Sequence, residues 1–292
     1  DPGLHTHVAV SNKVRAQGTD GIWRWYALDG RPLYACTVAA SELYNTRLEA
    51  YLGAELGMRF ASRGHTPDGK REVREVVGVN PELLELWSSR RAAIDAEYAV
   101  LAKKFQAEHG REPTTPESIA LFQQANLSTR AAKHEPRSLA EQRQEWRAQA
   151  IGLLGDERAL NAMLGRCLGT SARTAATVTP EWLNTQARRV IATVSQSRST
   201  WQRTHVLAEA LRVTRSTGHA NTDGLAEQIA DIALSEPLSI RHASSPDTDL
   251  GEPALLRRKD GTSVYRLAGS QTYTSAEILA AEKRILAAAT LT

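Results

Sequence analysis

The sequence has 292 residues, of which 41% are hydrophobic and 24% charged, and its formal net charge is +3. This balance is typical of a globular chain rather than a disordered one, and it permits nucleic-acid binding only through local basic patches. No apolar run approaches the roughly 20 residues that span a bilayer, and the first residues show no signal sequence. Cys36 and Cys167 form no CxxC pair. We therefore expect a cytoplasmic protein with no membrane insertion and no cysteine metal site.

The first 57 residues predict a hairpin followed by a helix. Residues 4–14 alternate as a strand does, and Asp20-Gly21 is typical of a type I′ turn. Residues 22–26 then predict the returning strand. After Pro32, apolar residues recur at helical spacing, and Gly57 is a suitable stop. The members of this helical stripe are Tyr44, Leu48, Tyr51, Leu52 and Leu56.

The next hundred residues predict a second hairpin and then helices. The hairpin turns around 67–69, and its returning strand covers 74–77. One long helix is predicted from Pro81 to a break at His109-Gly110. Thr115 and Pro116 open a further helix as cap and first helical residue, and another helix covers about 139–154.

Residues 153–179 are weakly patterned, so we place the main domain boundary there, between 1–152 and 153–292. Helices are expected at about 180–196, 203–214 and 223–235, followed by a hairpin over 255–267 that turns at Asp260-Gly261. Thr274 and Glu277 suggest a capping box for a last helix. Three helices and a hairpin resemble a winged-helix arrangement. The predicted fold class is α+β, predominantly helical.

The most specific chemical feature is the pair His5 and His7. Two histidines at i and i+2 on a strand share one face, where neutral imidazoles can converge on a divalent cation. Asn12 falls on the opposite face of an ideal strand and is better suited to hydrogen-bonding around the site. A surface pair with no ligand is the alternative, because a metal site with an open position has about three protein ligands.

The string from His5 to Asn12 resembles the HxHxxxxN motif of MobF-class (TrwC/TraI-type) conjugative relaxases, which are histidine-hydrophobe-histidine (HUH) endonucleases. Five further segments resemble the same family and occur in the same order along the chain. The last of them, residues 273–282, resembles the start of the helicase region that follows the relaxase domain. The segments are 20–24, 27–34, 87–91, 129–133 and 273–282.

The resemblance implies the later part of an antiparallel-sheet relaxase domain, followed by a helical, winged-helix-like connector. His5 and His7 would be two of three histidines that hold a divalent cation (Mg, Mn or Zn), which would polarise a DNA phosphate for attack by a tyrosine. The partner would be single-stranded DNA at a transfer origin, together with other conjugation proteins. No catalytic residue is assigned here, because the family's nucleophilic tyrosine lies upstream. The parent would be an enzyme fused to a helicase, and this chain an internal fragment that is inactive alone.

Six residues are candidates for DNA contacts. Trp23 and Trp25 share one face of the predicted strand and could stack on unpaired bases, although one face of that strand must also be core. The other four are basic: Arg90, Arg91, Arg130 and Lys133. The alternative explanation for each is a solvated helix charge, which is the commoner role of such residues. Arg257, Arg258 and Lys259 precede the predicted wing turn and have the same two explanations.

Two other functions stay open. The chain could be a non-catalytic DNA-binding or interaction module left by truncation or decay of a mobile element, which would bind single-stranded DNA without metal. It could also belong to an unrelated metal-dependent enzyme built on His-x-His, which would leave the downstream segments unexplained. The sequence has no GxxxxGK[ST] phosphate loop, so ATP hydrolysis is not expected in this segment.

Overall fold

A computed structural model describes residues 2, 7–18, 20–63, 72–130, 137–169, 175–242, 253–257, 263–265 and 269–289. These residues are mostly helical, with short strands between the helices, which confirms the predicted class. The chain divides into two compact units. The first unit joins Asp1–Val8 to Ser62–Thr170, and the second joins Ala9–Ala61 to Ser171–Thr292. The boundary expected near residue 152 stays a prediction. None of the described helices is long and apolar enough to cross a membrane.

The second unit begins with a β-hairpin. Strand β1 (Lys13–Gln17) pairs antiparallel with β2 (Trp23–Ala27). Because Gln17 lies opposite Trp23, the connecting loop has five residues, and the two-residue type I′ turn predicted at Asp20-Gly21 is wrong. The wider loop is held by Gly18 N–H, which donates to Ile22 O at 2.9 Å, and by the Asp20 carboxylate, which accepts from Ile22 N–H at 3.1 Å.

The strand predicted over residues 4–14 is also corrected. Residues 7–12 have no strand structure, and residues 4–6 lie outside the described residues. Val8 and Val10 were expected to share one strand face, and they are 78% and 58% exposed. The physical reason is the lack of a ladder partner. The strand opposite β1 ends at Ala27, so no described strand lies opposite residues 7–11.

Helix α1 (Gly30–Leu56) follows the hairpin directly. The Asp29 carboxylate accepts from Arg31 N–H at its start, and Gly57 ends it with φ 63°, which confirms the predicted stop. Its buried residues are Ala39 and Thr46. The predicted apolar stripe is not the buried face of this helix, since Tyr44, Leu48, Tyr51 and Leu56 are all exposed.

The first unit contains the middle helices around a small apolar cluster. Strand β3 (Phe60–Ser62) lies at the point where the chain passes from the second unit into the first, and β4 (Arg74–Val76) lies in the first unit. The turn predicted at 67–69 lies outside the described residues. Five helices follow: α2 (Pro81–Leu86), α3 (Ser89–His109), α4 (Thr115–Ser128), α5 (Leu139–Leu154) and α6 (Glu157–Cys167). The buried cluster is formed by Leu83, Ala150, Leu160, Met163 and Cys167.

Three helix predictions in this unit need correction. The single helix expected from Pro81 is interrupted at Trp87 and Ser88, and the Trp87 indole there donates to Gln149 Oε1 at 2.9 Å. The cap of α4 is Thr114 rather than Thr115, because Thr114 shares a reciprocal capping box with Glu117. Helix α6 was not predicted. Its start is fixed by the Asp156 carboxylate, which accepts from Ala159 N–H at 2.7 Å.

The rest of the second unit is a helical bundle with a small antiparallel sheet. Its apolar core includes Trp201, Val206, Leu225 and Ile229. The sheet has the order β5-β7-β6. In chain order the elements are α7 (Pro180–Ser195), β5 (Trp201–Gln202), α8 (Arg203–Ser216), α9 (Leu225–Ala233), β6 (Ile240–Arg241), β7 (Thr272–Thr274) and α10 (Ala276–Ala289).

In the C-terminal segment, one prediction is wrong and another is supported in part. Ser275 caps α10 through its hydroxyl, which accepts from Ile278 N–H at 3.2 Å, whereas Thr274 Oγ1 donates to Ser199 O at 2.9 Å. The capping box predicted at Thr274 is therefore wrong. At the start of the hairpin predicted over 255–267, residues 254–256 form a 3₁₀ turn. Arg257 and Ser263 form an isolated antiparallel bridge, and the residues between them lie outside the described set.

Candidate nucleic-acid interface

The structure describes only one member of the histidine pair. His5 lies outside the described residues. His7 is exposed and lies in the irregular segment that precedes β1, so the shared strand face expected for the pair has no support there. Within the described ranges, no three His, Cys, Asp or Glu side chains come together in a way that could hold a metal ion. The metal assignment of His5 and His7 therefore stays a prediction.

Asn12 takes part in the hairpin through its backbone. Its carbonyl accepts from Leu28 N–H at 2.7 Å, just outside the last paired residues of the hairpin, Lys13 and Ala27. Asn12 also lines a groove of about 680 Å³, together with Ser11, Lys13, Trp25, Tyr26 and Ala27. This volume falls within the roughly 300–1,000 Å³ that is usual for small-molecule sites. The groove lies at the open end of the hairpin, where β1 begins and β2 ends.

The register of the hairpin brings basic and aromatic side chains to one face. Arg15 lies opposite Trp25, and Gln17 lies opposite Trp23. Directly opposed residues in an antiparallel pair project to the same side, and residues at i and i+2 do so as well. Lys13 consequently belongs to this same face. We call this set, Lys13, Arg15, Gln17, Trp23 and Trp25, the basic–aromatic face.

The indole rings of this face are open to solvent. Trp23 is 57% exposed and Trp25 is 69% exposed. Every residue of β2 is exposed, so the expectation that one side of this strand is core is wrong. The Arg15 guanidinium lies 5.7 Å from the centre of the Trp23 ring, within cation–π range. Exposed rings of this kind can stack on bases.

Among the described residues, no acidic side chain pairs with the charges of the basic–aromatic face. No ion pair is found for Lys13 or Arg15 within the described part of the chain. On the opposite face, Arg24 forms an ion pair with Asp20 at 2.6 Å, and this hydrogen-bonded guanidinium keeps the pKa of Asp20 below its ordinary value. The hairpin thus places Lys13 and Arg15 on the side that carries the tryptophans, and a positive charge there suits a phosphate backbone.

The other predicted DNA-binding residues lie in the first unit, and two of them have intramolecular partners. Arg90 donates to Asn126 O and Thr129 O, both at 2.8 Å, and so ties the start of α3 to the end of α4. Arg91 pairs with Asp95 at 2.7 Å. Arg130 is exposed, and Lys133 lies outside the described residues. Their proposed DNA contacts stay predictions.

Sequence reasoning had missed Lys13 and Arg15. The signal was present in the spacing, since Lys13, Arg15 and Gln17 alternate along one strand, and Trp23 and Trp25 alternate along the other. Whether the two sets share a face depends on the length of the turn. A two-residue turn at Asp20-Gly21 would pair Thr19 with Ile22, and hence Gln17 with Arg24, which would place the basic residues opposite Arg24 and Tyr26. The five-residue loop reverses this parity.

The comparisons with known proteins give one match. The TrwC relaxase family model matches residues 1–153, which is just over half of the chain. Neither the curated proteins nor the solved structures give a match.

Proposed function

The chain belongs to the TrwC relaxase family, and we propose that it contributes to a conjugative relaxase that nicks one DNA strand at a plasmid transfer origin. The observation that carries this proposal is the family match over residues 1–153, within which the whole basic–aromatic face lies. In the proposed reaction a tyrosine oxygen attacks the scissile phosphorus, and the 3′ oxygen of the strand leaves. No tyrosine of this chain is assigned that role.

We propose that the basic–aromatic face holds unpaired nucleotides of the DNA strand. Exposed indoles stack on bases of any sequence, because every base presents a π face. Lys13 and Arg15 lie beside these rings and would pair with phosphates of the same strand. A paired duplex hides the base faces inside its stack, so this arrangement favours single-stranded over double-stranded DNA. These contacts do not distinguish one base from another, so recognition of a particular DNA sequence would require other residues.

We extend the proposal to a divalent cation held by His5 and His7, with Asn12 as a hydrogen-bonding neighbour. Support for this part comes from the sequence motif and from the family, since the described residues do not by themselves form a metal site. When bound, such a cation would polarise a phosphate oxygen. Magnesium, manganese and zinc all remain candidates.

We propose a winged-helix-like connector for the second half of the chain, followed by a helicase region. The order α7, β5, α8, α9, β6, β7 supports the first part, because the last strand inserts between the first two in a three-stranded antiparallel sheet. The exposed side of α9 carries Glu227, Gln228 and Asp231, so this helix is poorly suited to a DNA groove. We therefore propose that the connector joins regions rather than reading bases.

A second candidate function is a DNA-binding module without chemistry. The basic–aromatic face favours it, because stacking and phosphate pairing need no metal ion. Both candidate functions bind single-stranded DNA, but only the relaxase uses His5 and His7 to hold a metal ion. A single binding experiment separates them.

The experiment is fluorescence anisotropy with a labelled single-stranded oligonucleotide, in manganese, in magnesium and in EDTA. The wild-type chain is compared with a His5→Ala/His7→Ala variant. Metal-stimulated binding that is lost in the double variant supports the relaxase site. Binding that ignores both metal and histidines supports the module. If the chain binds duplex and single strands equally, or neither, the proposed DNA-binding face is wrong.

A further inference from the structure

Helix α1 is attached to α8 by an unusual set of contacts. Glu42 on α1 accepts from two arginines of α8, with Arg212 Nη2 at 2.7 Å from Oε1 and Arg215 Nη2 at 2.6 Å from Oε2. Arg212 is also paired within α8 with Glu209, at 2.8 Å. Arg215 Nε lies 3.5 Å from Glu49 Oε1, which is an ion-pair distance without hydrogen-bond geometry. Five charged side chains thus meet between the two helices.

These charges are withdrawn from solvent. The side chain of Arg215 is 6% exposed, and that of Glu42 is 13% exposed. Arg215 Nη1 also donates to Glu42 O at 3.0 Å, so it holds the α1 backbone as well as the carboxylate. A buried pair of this kind adds little net stability over apolar packing, but it is costly to break by removing one partner and can fix the register of two elements.

The apolar residues of α1 contribute little to this attachment. Its two buried residues are Ala39 and Thr46, and Thr46 lies against Leu211 O at 3.5 Å. By contrast, Val206, Ala210 and Leu211 of α8 belong to the apolar core shared with α7 and α9. The bundle is therefore held by apolar burial, and α1 is held on it mainly by charge.

We propose that Glu42 and Arg215 form an ion-pair latch that docks α1 in one register on the C-terminal helical bundle. Because β2 ends at Ala27 and α1 begins at Gly30, the latch also fixes the hairpin to that bundle. It joins a segment inside the relaxase match to helices outside it. Ala39 is the only fully buried apolar residue of α1, so releasing this helix would mainly rehydrate charges, and we expect the bundle to stay folded when the latch opens.

The test is hydrogen–deuterium exchange of the whole chain, read on peptides from 30–56 and from 225–233. In a Glu42→Gln variant we expect exchange in α1 to accelerate at least tenfold, while exchange in α9 keeps its wild-type rate. A charge swap, Glu42→Arg with Arg215→Glu, should restore part of the α1 protection that either single change removes. The matched control is Arg47→Ala, which removes an exposed α1 pair with Asp223 and should leave α1 exchange unchanged.

Two outcomes would overturn the latch. Unchanged α1 exchange in Glu42→Gln would show that the buried pair does not hold the helix. Equal acceleration in α1 and α9 would show that the network is an ordinary part of one cooperative core. If Glu42→Gln proves too unstable to measure, Arg215→Lys keeps the charge but loses the two-point contact. That variant should loosen α1 selectively, and equal loosening of α9 again counts against the latch.

Discussion

Arg15 and Trp23 lie on neighbouring strands of the hairpin, with the guanidinium carbon 5.7 Å from the ring centre. This cross-strand contact places a cation against an aromatic ring whose residue is 57% exposed. The pair presents both features that an unpaired nucleic-acid strand needs, a positive charge for its phosphate and a flat apolar surface for its base. Trp25 repeats the flat surface two residues further along the same face.

Removing the more exposed ring should weaken binding to single-stranded DNA. For Trp25→Ala we expect the loss of one stacked base, about 1–3 kcal/mol, or roughly 5- to 150-fold in Kd. The measurement is anisotropy titration with a single-stranded oligonucleotide. Tyr26→Ala is the matched control, since Tyr26 follows directly in the same strand but projects to the opposite face. Equal losses in both variants would contradict the assignment to one face.

The basic residues should determine the salt dependence of binding. Each phosphate contact on a single strand contributes about 0.7 to the slope of log K against log salt concentration. We therefore expect Lys13→Ala and Arg15→Ala each to reduce that slope by about 0.7. The binding constants are measured from roughly 50 to 300 mM salt, a range that includes physiological ionic strength. Arg24→Ala is the control, because Arg24 is paired with Asp20 on the other face. A slope that is the same in all three variants would rule out these phosphate contacts.

His205 should make the second unit sensitive to acid. Its Nδ1 accepts from Gln202 N–H at 3.1 Å at the start of α8, and burial, aided by the charge of Arg198, keeps the pKa of His205 below its ordinary value. The folded protein favours the neutral ring. Its stabilising contribution is therefore full above the unfolded pKa of about 6.5 and is lost as the pH falls towards the lower folded pKa.

The difference in Tm between the wild type and a His205→Gln variant measures this effect. The wild type should be the more stable protein at pH 8, and its advantage should shrink by pH 5. Comparing the two proteins at each pH removes the contribution of the other titrating groups. An advantage that stays constant from pH 8 to pH 5 would show that His205 does not titrate with folding.

Leu83 should be the most sensitive position of the first unit. It is 0% exposed and lies against Ala150, Leu160, Met163 and Cys167. Leu83→Ala removes buried methyl groups and leaves a cavity, which costs about 2–5 kcal/mol. Urea unfolding followed by circular dichroism measures it. Leu86→Ala on the same short helix is the control, since Leu86 is 43% exposed and its truncation should cost well under half as much.

The sequence determined most of the helices, because their signals are local. Asp29 and Gly57 frame α1, Ser138 caps α5 with Glu141, and Thr179 with Pro180 opens α7. Each of these residues acts on backbone groups within its own turn, so a short window of sequence contains all the information. The family resemblance was equally local, since it rests on ordered motifs, and the match over 1–153 confirms it.

Only the tertiary structure decided which faces these elements present. The five-residue loop after Gln17 set the strand register, and that register placed Lys13 and Arg15 beside the tryptophans. On α1, Tyr44 and Tyr51 are exposed while Glu42 is half-buried, and Glu42 is held there by Arg212 and Arg215 some 170 residues later in the chain. A strand changes its face with a single residue of register, and a buried charge is stable only beside its partner. Both facts depend on residues distant in sequence, so no local pattern can contain them.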